Sequence, residues 1–137
     1  MFVFKATSRE QVSAWIMTDP AVAAKRWNVE IFPYQPRTGS VCPVGEKYEM
    51  TNYFFVRYVP SGSPSEKELA AHLSYLQASP GKVITEASLG DGAGAVAVFV
   101  EEPAEALING DPLISSGKWK AAVKKLFIAR GSFCEPK

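Results

Sequence analysis

The chain repeats itself, and the repeat limits what it can fold into. Val12, Trp15 and Ile16 stand before Asp19-Pro20, and Trp27 follows that proline by seven residues. Ninety-two residues later Ala104, Leu107 and Ile108 stand before Asp111-Pro112, and Trp119 follows at the same interval. An apolar triplet at i, i+3 and i+4 is one buried face of a helix. Two copies of one supersecondary unit are therefore expected, each with a helix, an Asp-Pro and a Trp-led segment in fixed phase.

Each copy reads as strand, helix, strand. Residues 2–6 are apolar and aromatic, and Ser8 with Gln11 three positions on makes a capping box that opens a helix to about Thr18. In residues 28–33 Val29 and Ile31 alternate with polar side chains, as in a half-buried strand that stops at Pro33 and Pro36. The second copy offers a strand over 95–100 and a helix over 102–109, with Pro103 in its first turn. Its last element, 120–128, fits a helical period through Ala122, Val123, Leu126 and Phe127, and fits alternation as well. The repeat selects a strand.

Between the copies, residues 35–47 are rich in Pro, Gly and Ser and have no periodicity, which reads as a linker or covering loop. An aromatic strand over 52–59 follows. Ser65 and Glu68 form a capping box for a helix to about Ala78, ended by Ser79-Pro80-Gly81. A strand over 82–88 and a glycine-rich turn, Gly90 to Gly94, lead into the second copy. Residues 52–129 thus read β-α-β-β-α-β, the split βαβ order of an α+β, ferredoxin-like sandwich. Residues 1–36 supply a β-α-β half unit, residues 37–51 a linker or covering loop, and residues 52–130 a complete unit, all packed as one domain.

Composition bounds the function classes. With 137 residues, 47% apolar, the chain can build a core without metal or disulfide staples. The longest apolar run, 95–100, is far short of the roughly 20 residues of a membrane-spanning helix, and the start lacks the pattern of a secretory signal. A cytoplasmic location is expected, with a mitochondrial one left open. A single histidine and two cysteines 92 positions apart do not make a metal site or call for a cofactor, and Cys42 and Cys134 read as reduced, spectator thiols. The formal net charge of +1 speaks against nucleic-acid binding. Residues 85–111 hold six acidic and no basic side chains, and 112–137 hold six basic and one acidic, which reads as two solvated faces.

Other motifs carry little chemistry. Gly90-Asp91-Gly92-Ala93-Gly94 precedes a strand, so it cannot aim a helix N-terminus at phosphate. Tyr53, Phe54, Phe55 and Tyr58 read as core, because no basic cluster accompanies them. Ser132 and Cys134 have no neighbouring base.

His72 is the most informative residue. It shares a helical face with Leu69, Leu73 and Leu76, so its imidazole lies on or beside the stripe that packs on the sheet and needs a partner. Each Asp-Pro reads as an N-cap with proline at the first helical position. Asp111 at such a helix end is also placed to orient an imidazole. Asp19, approaching across the two copies, is the alternative partner.

Two stretches resemble the YCII-related (YciI-like) family. One is Ala71-His72-Leu73-Ser74-Tyr75-Leu76 with Gly81-Lys82-Val83, the glycine-rich turn, Asp111-Pro112 and Gly117. The other is Val12-Ser13-Ala14-Trp15 with Asp19-Pro20-Ala21-Val22-Ala23-Ala24. Leu69 stands where such proteins often carry Arg, and Ala87-Ser88 where they usually carry Gly-Pro. The resemblance implies a dimeric ferredoxin-like α+β barrel of one and a half units, with a catalytic His–Asp pair that would be His72, as general base, and Asp111, as its orienting carboxylate. Two functions follow as expectations. The first is a lyase or isomerase acting on a small-molecule ligand. The second is a non-catalytic assembly or binding subunit, either of a homo-oligomer or of a larger complex.

Overall fold

The computed structural model describes residues 1–79 and 83–134. Helix α1 (Arg9–Ile16) starts at Ser8, whose side chain accepts from the Gln11 amide, and α2 (Pro20–Ala23) starts at Asp19 with proline in its first turn. Strands β1 (Tyr34–Thr38), β2 (Ser40–Val41) and β3 (Met50–Pro60) precede helix α3 (Glu66–Ala78). Strands β4 (Val83–Leu89) and β5 (Gly94–Phe99), helices α4 (Glu105–Asn109) and α5 (Pro112–Ser115), and strands β6 (Trp119–Ala129) and β7 (Phe133–Cys134) complete the order.

Five strands form one antiparallel sheet in the order β1-β4-β5-β3-β6, and β2 pairs with β7 in a separate ribbon. The molecule is thus mixed α+β. Strand β3 lies between β5 and β6, with Tyr58 opposite both Ala95 and Ala121. Its even-numbered Val56 and Tyr58 face α3, α4 and α5 and join Leu76, Phe99, Ile108, Leu113 and Trp119 in the main core. Tyr53, Ile84, Val98 and Phe133 cluster on the other face. The period of two along β3 divides these faces. Among the described residues no helix is long and apolar enough to cross a membrane.

The elements expected in 52–129 form, with β3 longer at both ends and α4 starting at Glu105. The ambiguous segment is strand β6. The expected helix stop at Pro80-Gly81, and Lys82, lie outside the described residues.

The first copy departs from expectation. Residues 2–6 and 28–33 are not strands; β1 starts at Tyr34 and runs into the segment read as a linker. A strand needs a neighbour as well as a pattern. Tyr34–Thr38 finds one in the edge of β4, with Tyr34 opposite Leu89 and Pro36 opposite Ala87. As an edge strand, β1 tolerates the missing N–H of Pro36. Gly39 turns the chain from β1 into β2 at φ +59°, where a Cβ would run into the carbonyl oxygens of Ile84 and Cys134.

Cys42 and Cys134 are joined in a disulfide with Cα atoms 5.8 Å apart. The expectation of reduced thiols is therefore corrected. The β2–β7 ribbon, with Ser40 opposite Cys134 and Val41 opposite Phe133, brings the two segments together, and no local pattern announces such a pairing. Its register also obeys the repeat. Shifting by 92 maps Val41 onto its own partner Phe133, and maps the Ser40–Cys134 pair onto Ser132–Cys42, which are joined by the Cys42 amide donating to the Ser132 carbonyl at 2.9 Å.

Candidate functional site

The site is built where α3 and α5 pack side by side on the sheet. Helix α3 is held at its start by a reciprocal capping box: Ser65 Oγ accepts from the Glu68 amide, and Glu68 Oε2 accepts from the Ser65 amide at 2.7 Å. Lys118 Nζ donates to both Glu68 oxygens at 2.6 and 2.7 Å. Lys118 and Ser65 together hold the Glu68 carboxyl at about 2, well below the usual range. Four residues past Glu68, the helix turns His72 inward, and Leu76 follows on the same face.

Asp111 comes from the other side. It is the N-cap of α5, where Oδ1 accepts from the Leu113 amide at 2.9 Å. Its second oxygen, Oδ2, lies 2.6 Å from His72 Nδ1. One carboxylate thus starts a helix and fixes an imidazole, and both side chains are completely buried. Asp19 takes the equivalent cap in α2, accepting from the Ala21 amide at 2.7 Å, but is only partly buried. His72 is bonded to Asp111; Asp19 serves as a cap alone.

The imidazole is closed in by rings. Tyr58 from β3 and Trp119 from β6 meet it edge-on, with centroids 5.0 and 5.2 Å away. Burial, followed by the charges of Asp111, Glu86 and Tyr75, drives the Tyr58 phenol far above its ordinary range, so it stays protonated.

Two further members were not singled out in the sequence. Glu86 of β4 is completely buried, with Oε1 3.9 Å from His72 Nε2. Arg37 of β1 grips it bidentately, Nε donating to Oε2 at 2.8 Å and Nη2 to Oε1. The reading of residues 85–111 as a solvated acidic face therefore fails at Glu86 and at Asp111, both completely buried. The signal was present, since Glu86 is the one charged residue within Val83–Leu89. Arg37 lies 49 positions away in the presumed linker and had no such signal.

Among the described residues, His72 Nε2, Tyr58 Oη and Trp119 Nε1 are buried without a hydrogen-bond partner. Among the described residues no group of three or more His, Cys, Asp or Glu is placed to hold a metal ion. The arrangement can hold a proton between Asp111 and His72, and it can lock α3, α5 and β4 to one another.

No protein-family model, no curated protein and no solved structure matches the chain.

Proposed function

We propose that the chain is a YCII-like module of ferredoxin-like fold that serves in assembly, with His72 and Asp111 holding its core rather than turning over a substrate. The fold reading is supported by the β-α-β-β-α-β order of residues 50–129 and by the strand order β4-β5-β3-β6. The functional reading is carried by one observation: the side chains of His72, Asp111 and Glu86 expose no surface at all. A general base must come within hydrogen-bond reach of the proton it abstracts. Here Asp111 takes Nδ1, two aromatic rings close on the imidazole, and Arg37 covers the Glu86 side. The Cys42–Cys134 bond favours an oxidising compartment over the cytoplasm.

A second reading rests on the unpartnered Nε2 of His72 beside Tyr58 Oη and Trp119 Nε1. Buried polar atoms ordinarily find partners, and a small polar ligand entering past Arg37 would supply them. His72 would then act as general base and Asp111 would orient it, in a lyase or isomerase.

His72 is the only histidine in the chain, so acylation by diethyl pyrocarbonate separates the two readings. The assembly reading expects native protein to resist modification until it is unfolded. Modification of the native protein at the rate of free imidazole would refute it and favour the acid–base site.

A further inference from the structure

Among the described residues, no strand takes the place in the half unit that β3 takes in the complete unit. Shifting by 92 maps β5 onto residues 2–7 and β6 onto residues 27–37. In the complete unit β3 lies between those two elements and pairs with both. In the half unit the corresponding place is an open cleft of about 710 Å³, lined by residues 1–4 on one side and 28–35 on the other, with Val12 and Ile16 of α1 also in its lining.

Both flanks carry unpaired backbone, at residues 2–6 and 28–32. Among the described residues, no backbone amide of residues 2–6 or 28–32 donates to another backbone group. Their side chains are exposed where their equivalents are not. Trp27 is 59% exposed and Trp119 4%, and Val3 and Phe4 are 38% and 42% exposed where Ala95 and Val96 are 0% and 4%. With nothing between the flanks, residues 2–6 stay irregular, and the Phe4 ring settles 6.0 Å from that of Trp15. Unpaired backbone beside exposed aromatics is what strand addition satisfies.

We propose that this cleft receives an extended strand from a second, different polypeptide, antiparallel to both flanks and completing the half unit as β3 completes the whole one. The proposal rests on the assembly reading and names its partner by chemistry. The cleft is continuous with an established ladder: residues 28–33 lead directly into β1, which is already paired with β4. The register of β3 also assigns charges. The position equivalent to Val56 falls between Lys5 and Ile31, and that of Arg57 between Phe4 and Glu30. The next position, equivalent to Tyr58, falls between Val3 and Val29. The strand that fits carries an acidic or polar residue facing Lys5, a basic one facing Glu30, and apolar residues at the neighbouring positions.

The probe is a synthetic peptide with the sequence of Met50–Pro60, which supplies the basic residue at the Glu30 position, added to the full oxidised chain. Hydrogen exchange read by mass spectrometry should slow by about tenfold or more in residues 2–6 and 28–32 at saturating peptide. The same peptide with proline in place of Tyr58 should give no protection, since it lacks a central N–H. The Glu30→Lys chain should bind the unaltered peptide more weakly, by about fivefold or more. Absent protection, or equal protection by the proline peptide, overturns the proposal. So does protection that grows with protein concentration without peptide, because it assigns the cleft to a second copy. Unprotected flanks with a His72 that resists acylation refute strand addition alone, whereas a rapidly acylated His72 with protected flanks refutes the non-catalytic reading alone.

Discussion

Replacing Asp111 with alanine should cost far more than replacing Asp19, although both residues cap the same short helix in the two copies. Each substitution removes an N-cap, worth about 1 kcal/mol. At Asp19, partly buried and bonded only to the Ala21 and Val22 amides, the loss ends there. At Asp111 the His72 Nδ1 loses its partner in a completely buried setting, which adds about 1–3 kcal/mol for an unsatisfied buried group. The expected totals are about 1 kcal/mol for Asp19→Ala and about 2–4 kcal/mol for Asp111→Ala. For a chain of this size those losses lower Tm by roughly 4 °C and 10 °C. Urea unfolding of the oxidised protein, with m compared between variants, reads the difference. Equal losses for the two variants would refute the idea that the His72 bond stabilises the fold beyond its cap.

Three further outcomes are expected. Arg37→Ala leaves the Glu86 carboxylate fully buried without its bidentate partner and should destabilise by about 3–5 kcal/mol in the same assay. Because the Glu68 carboxyl is lowered from its ordinary 4.5 to about 2, its contribution should be complete above about pH 4.5 and fade as pH falls toward 2. Glu68→Gln should remove that part of the acid sensitivity in a series of urea midpoints against pH. Reducing Cys42–Cys134, which joins residues 92 positions apart, should lower stability by about 4–5 kcal/mol on loop entropy, and the Cys42→Ser Cys134→Ser chain should match the reduced protein.

Local signals carried much of the fold. Ser65 with Glu68 announced α3, the Asp-Pro pairs announced α2 and α5, and the repeat decided that β6 is a strand. His72 and Asp111 were legible as a pair because each sits on an element with a clear start. What escaped depends on partners remote in sequence. Val29 and Ile31 alternate as a strand should, yet, among the described residues, 28–32 make no backbone hydrogen bond to a neighbouring strand. Tyr34–Thr38, with a proline in its middle, becomes a strand because β4 offers an edge. Glu86 with Arg37 and Cys42 with Cys134 are joined only by the sheet and the ribbon, across separations that no window of sequence spans.

The imidazole N–H of the single histidine offers the most direct test of an enclosed His72–Asp111 bond. In proton–nitrogen spectra of the native oxidised protein, the account predicts one downfield His72 Nδ1–H signal that exchanges slowly with water and disappears in Asp111→Ala. A His72 signal that exchanges at the rate of a solvent-exposed imidazole, or one unaffected by the loss of Asp111, would contradict it.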